Sequence, residues 1–118
     1  MKKLILLIFG LVLSFSTFAM TEPKFHNQDP NTFATWVTER IVYPEIAIKN
    51  NTQGIVVIQF TINTVGRVVN AKILKSVDAL LDKEVLRVVS MSPKWQPARW
   101  RGKRLETHYI LPIKFVLT

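Results

Sequence analysis

The sequence predicts an α+β domain, two helices packed on a three-stranded antiparallel sheet, and three observations carry that prediction. Val56, Ile58, Phe60 and Ile62 share one face at the two-residue period of a strand, with Gln59 and Thr61 marking the other and Ile55 and Val57 suggesting that it is partly covered. Tyr109, Leu111, Ile113, Phe115 and Leu117 repeat the pattern at the far end of the chain. Between them Leu81, Val85, Val88 and Val89 fall at i, i+4, i+7 and i+8, the single buried stripe of an amphipathic helix.

The first nineteen residues stand apart from that domain. Met1-Lys2-Lys3 is a short basic start and Leu4 to Leu13 an apolar run. Thr17-Phe18-Ala19 offers small residues where a signal peptidase reads. The expectation is a secretory signal peptide, residues 1–19, cut after Ala19 so that the rest is exported. The alternative is an uncleaved membrane anchor, but a spanning helix wants about 20 apolar residues, and Gly10, Ser14, Ser16 and Thr17 dilute this run.

From Met20 onward there are 99 residues, enough for one core, and no cysteine, so packing alone must stabilise the domain. Without Lys2 and Lys3 the formal charge of +8 becomes +6. Such a balance favours solubility and the steering of an acidic partner.

Residues 20–32 are polar, carry Pro23 and Pro30, and read as a linker that reaches only about 45 Å when stretched. The domain then runs over 33–118. Phe33, Trp36, Val37 and Ile41 have helical spacing, with Asn31 or Thr32 as N-cap. Pro44 interrupts this short helix and can start the next at its first position. Asn50 to Gly54 ends it with turn chemistry. The strand of Val56 follows, then a hairpin turn at Asn63–Gly66, where glycine is free to take positive φ. Arg67 to Ser76 returns, with Ala71 and Ile73 inward. Asp78 is placed to cap the next helix, and Ser92-Pro93 ends it. Lys94 to Arg104 is a basic connection bearing Trp95 and Trp100, with Gly102 at a turn, and it leads into the last strand.

Pro112 lies in the middle of that last strand. Proline has no N–H for a ladder and is confined to edge strands, strand starts or bulges. The strand therefore reads as the edge of the sheet, a template for another strand. Whether the missing N–H faces the open edge or a bulge absorbs it stays undecided at this level.

Catalytic constellations are not apparent. No cysteine is present, and His26 and His108 are spaced neither as a base with its orienter nor as metal ligands. Asp78, Asp82 and Glu84 read better as helix-terminus electrostatics than as an acid–base pair. The isolated glycines form no phosphate loop. The basic, tryptophan-bearing connection is the nearest thing to a nucleic-acid site, but in a secreted chain it reads as a core tryptophan among solvated cations. Neither an enzyme, a cofactor, a metal nor a nucleic-acid partner is expected.

Several features now stand in order: Tyr43-Pro44, Gly54 with Val56-x-Ile58-x-Phe60-x-Ile62, Gly66-Arg67-Val68, and Ile73-Leu74-x-Ser76. Asp82-Lys-Glu-Val85, Pro93-Lys-Trp-x-Pro97, Gly102 and Tyr109-x-x-Pro112-Ile-x-Phe115 follow. In this order and spacing the chain resembles the C-terminal domain of TonB family proteins over about residues 33 to 117. The resemblance implies a periplasmic module whose last strand pairs with the TonB box of TonB-dependent outer-membrane transporters and supports energy-coupled transport. On this chain the pairing strand maps to Thr107 through Phe115, with Thr107, His108, Tyr109, Ile110, Leu111, Lys114 and Phe115 as partner-binding residues. Of these, His108, Ile110 and Lys114 are the outward positions expected to influence partner choice. Two further readings stay open: a complete transducer anchored in the inner membrane and engaging its proton-driven motor complex, and a TolA-like envelope interaction module. The same edge can also pair with a second copy, as a homodimer.

Overall fold

The computed structural model describes residues 4–8, 11–12, 20–21, 23–26 and 29–118. Four short strands come first: β1 Leu4–Ile8, β2 Leu11–Val12, β3 Met20–Thr21 and β4 Lys24–Phe25. Helices α1 Thr32–Arg40 and α2 Glu45–Lys49 precede the long hairpin of β5 Gly54–Ile62 and β6 Val68–Lys75. Helix α3 Ala79–Ser90 leads to β7 Trp95–Gln96, β8 Ala98–Trp100 and β9 Lys103–Leu105, and β10 Thr107–Leu117 closes the chain.

The two-residue period produces the central sheet. Val56, Ile58, Phe60 and Ile62 of β5 and Tyr109, Leu111, Ile113 and Phe115 of β10 are all at most 1% exposed. β5 lies between β6 and β10, antiparallel to both. Ala71 and Ile73 of β6 are half-buried, and Ile73 packs opposite Ile58. Helix α3 sits on β5 and β6 and turns Leu81, Val85, Val88 and Val89 into the same core. Its start is fixed as the sequence predicts: the Asp78 carboxylate accepts a hydrogen bond from the Leu80 N–H at 2.8 Å.

Three local details differ from the sequence-based expectation. At the start of α1 the N-cap is Asn31, whose side chain makes no capping bond. Asp29 orders the chain just ahead of the helix instead, its carboxylate accepting from the Asn31 N–H at 2.8 Å. Pro44 is the residue before α2, in extended conformation, instead of its first helical residue. Its φ of −59° suits either place, but its ψ of 135° is extended where a helical residue would need a negative value. The basic connection, finally, is partly a hairpin: β8 and β9 pair around Arg101 and Gly102, with φ of 50° and 78°. Two successive positive φ angles match the twist that a two-residue hairpin turn needs.

At the β5–β6 turn the Gly66 N–H donates to the Asn63 carbonyl at 2.9 Å, and Gly66 has φ +86°. The Trp95 N–H donates to the Gly66 carbonyl at 2.7 Å, so the turn is pinned to the chain after α3.

An aromatic cluster fills the end of the core next to this turn. Phe33, Phe60, Trp95 and Tyr109 are buried, with ring centroids 5.0 Å apart for Phe33–Trp95 and 5.3 Å for Phe60–Tyr109. Phe25, from the stretch read as a linker, completes it at 2% exposure. It stands 5.1 Å from Phe33 and 5.2 Å from Trp95, and β4 pairs with β7 to hold it there. Neighbouring His26 is exposed and stacks on Phe25 at 4.1 Å.

Candidate partner-binding edge

The last strand is built in two halves by its own alternation. Tyr109, Leu111, Ile113 and Phe115 anchor it in the core, where Tyr109 stacks on Phe60 and Phe115 meets Tyr43 edge-on at 5.2 Å. Tyr43 is itself fixed, its hydroxyl donating to the Thr52 carbonyl, and burial pushes its pKa up. Thr107 is buried as well. Of the residues assigned to pairing, Thr107, Tyr109, Leu111 and Phe115 thus contribute backbone to the strand while their side chains belong to the core. His108 is exposed, and Ile110 and Lys114 are half-buried, as are Pro112 and Val116. The His108 Nδ1 lies 3.0 Å from the Thr61 hydroxyl of β5.

The pairing of β10 with β5 decides the direction of the proline. It runs without a shift from Thr107↔Ile62 to Phe115↔Gly54 and includes Pro112↔Val57. Antiparallel pairs alternate between those that exchange hydrogen bonds and those that do not. Proline has no N–H to exchange, so Pro112↔Val57 is a pair without hydrogen bonds. By alternation Leu111 and Ile113 bond to Ile58 and Val56. The backbone groups of His108, Ile110, Pro112, Lys114 and Val116 then turn to the outer edge. The Leu117 N–H agrees with this parity, since it donates on the β5 side to Gln53 Oε1 at 3.0 Å. No bulge absorbs the proline. Its missing donor is a gap in the outer ladder.

That outer edge is covered in the full chain, although the sequence reads β10 as an open edge strand. β1 pairs antiparallel with it from Leu4↔Leu117 to Ile8↔Ile113, and β2 continues with Leu11↔Ile110 and Val12↔Tyr109. One register therefore holds on both sides of Pro112. An edge strand with free donors and acceptors is completed by any apolar segment able to extend, and the chain carries one at its start.

A second network ties the helices together behind the sheet. Glu84 of α3 accepts from the Val42 N–H at 2.7 Å and from Arg87 at 2.7 and 2.8 Å. Burial alone raises the Glu84 pKa, but the hydrogen bonds from Arg87 and Val42 and the Arg87 charge outweigh it, leaving the carboxyl below its ordinary value. The same bond to Glu84 raises the Arg87 pKa.

Among the described residues no helix is long and apolar enough to cross a membrane. Comparison with curated proteins and with solved structures gave no match. One family model does match: the Gram-negative bacterial TonB protein C-terminal, over residues 39–117. That span takes in α2, the β5–β6 hairpin, α3 and the whole of β10. With well over half of its length matched, the chain belongs to the TonB C-terminal family, non-enzymatic interaction modules of energy-coupled transport in the cell envelope.

Proposed function

We propose that the chain is a periplasmic module that binds TonB-dependent outer-membrane transporters by adding the transporter's extended TonB box to the outer edge of β10. The observation that carries this reading is that the edge already holds added strands, β1 and β2, supplied by residues 4–8 and 11–12 of the same chain. Main-chain hydrogen bonds from His108, Ile110, Lys114 and Val116 supply affinity, and the side chains of His108, Ile110 and Lys114 bias the choice of partner. The gap at Pro112 divides the ladder into two runs, so a partner strand is held on either side of it. In this reading residues 1–19 are a signal peptide, and their removal after Ala19 uncovers the edge for the transporter.

The test is a titration of labelled TonB-box peptides against the mature protein that begins at Met20, in parent and Ile110→Pro forms. Ile110 offers its N–H to the outer edge, so proline there removes a partner bond without touching the β5 ladder. Binding should weaken about ten-fold, the equivalent of one strong hydrogen bond, while the circular dichroism spectrum is unchanged. A folded Ile110→Pro protein with undiminished affinity would overturn the edge assignment. No binding by any TonB-box peptide would point to another envelope partner.

A further inference from the structure

The basic connection that the pairing function leaves unused forms a site of its own. The β8–β9 hairpin, β7 and residues Thr21 and Lys24 of β3 and β4 surround a cavity of about 570 Å³, lined among others by Lys94, Arg99, Arg104, Trp95 and Val65. Every charged side chain among its lining residues is a cation. Arg99 and Arg104 are direct cross-strand partners in the β8–β9 pair. Like charges placed directly opposite each other destabilise a sheet, and here Lys24 and Lys94 add two more to the same cavity. Both ion pairs among the described residues, Arg40–Glu39 and Arg87–Glu84, lie elsewhere, so none of the four cations meets a described carboxylate. The wall behind them is rigid. Trp95 is 3% exposed, its indole N–H donates to the Ser92 hydroxyl at 3.0 Å, and its backbone is tied to Gly66.

We propose that this groove is an anion site that binds a phosphate-bearing ligand carrying two or more negative charges. Two guanidinium groups borne by directly opposed residues can converge on the oxygens of a phosphate, which arginine binds with two parallel N–H bonds. Two ammonium groups in the same concavity suit a second anionic group. The bound anion replaces the repulsion between Arg99 and Arg104 with attraction, so binding stabilises the fold. The volume falls within the range of small-ligand sites, which favours a discrete headgroup or phosphate ester over a long polymer. The site is separate from the outer edge of β10 and does not depend on what that edge binds.

The experiment uses the full chain and two probes: inorganic pyrophosphate, and phosphatidylcholine vesicles with about one-third cardiolipin, whose headgroup carries two phosphates and makes an anionic surface that attracts clustered Lys and Arg. Pyrophosphate should raise the melting temperature and bind with an affinity that falls as salt rises. Arg99→Gln/Arg104→Gln should weaken it at least about ten-fold, while Lys72→Gln/Lys75→Gln, which removes two exposed cations from β6, should change it less than about two-fold. Without ligand, the Arg99→Gln/Arg104→Gln protein should melt no lower than the parent, because a repulsion is gone. If that variant does not fold, Lys24→Gln/Lys94→Gln serves the same comparison. Capture by the anionic vesicles, competed by pyrophosphate, identifies a lipid headgroup as the source. Pyrophosphate binding without vesicle capture identifies a soluble phosphate compound. Three outcomes overturn the proposal: neither probe binds, both charge-removal pairs lose affinity equally, or an Asp/Glu-rich peptide binds where neither phosphate probe does.

Discussion

Phe25→Ala separates two descriptions of residues 20–32, as a tether or as part of the folded unit. The ring is 2% exposed and has Phe33, Trp95 and Trp36 at centroid distances of 5.1, 5.2 and 6.1 Å. Truncating a buried phenylalanine costs about 3–5 kcal/mol when its surroundings cannot close over the space. Here they cannot close fully, because Trp95 is held by Gly66 and by Ser92, and Phe33 lies on a helix. The strand pair that carries Phe25 is only two residues long, which allows some relaxation and argues for the lower part of that range. A loss of about 3 kcal/mol corresponds to a fall in melting temperature of at least about 12 °C in a domain this small, a large share of a stability of about 5–15 kcal/mol. Guanidinium denaturation followed by tryptophan fluorescence and far-UV circular dichroism measures it. The midpoint should fall while the slope stays near the parent's. Phe25→Leu, which keeps much of the volume, should lose only about 1–1.5 kcal/mol. A loss below about 1 kcal/mol for Phe25→Ala, the scale of an ordinary surface change, would refute the placement of this ring in the core.

Three further outcomes follow from the geometry. Gly66→Ala places a Cβ 2.0 Å from the Trp95 carbonyl oxygen at φ +86°, and should cost about 3 kcal/mol or more, read as a lowered denaturation midpoint with altered tryptophan emission. Glu84 is held below its ordinary pKa in the fold, so its stabilisation is full above the ordinary carboxylate value and disappears as pH falls through the lower folded one. Glu84→Gln should therefore cost about 1 kcal/mol at neutral pH, allowing for the exposed Arg87 partner, with the gap closing below about pH 4 in urea melts across pH. Leu111→Pro, unlike Ile110→Pro, removes a bond to β5 from a fully buried residue and should unfold the domain, at a cost of about 3 kcal/mol or more, visible as lost circular dichroism.

Most of the domain could be read from periodicity because burial imposes it locally. Val56 to Ile62 and Tyr109 to Leu117 alternate because each strand has one dry face, and Leu81 to Val89 repeat because α3 has one. The Asp78 cap and the Asn63–Gly66 turn are likewise local, a side chain meeting a backbone group a few residues away. Phe25 was not legible. A single aromatic in a polar stretch has no period, and only the strand pair with Trp95 and Gln96 shows that it is enclosed.

By itself the sequence determined the α+β class, the inner faces of β5, β6 and β10 and the presence of a proline in the last one. Only the tertiary structure decided which way that proline faces. Hydrogen-bond parity belongs to the register between β5 and β10, and side-chain alternation is the same whichever set of pairs exchanges bonds. Tertiary structure likewise placed the chain's own apolar start on the outer edge of β10 and gathered Lys24, Lys94, Arg99 and Arg104 around one cavity. Contacts between residues far apart in the chain leave no local signature, since the energy that selects them comes from the assembled core.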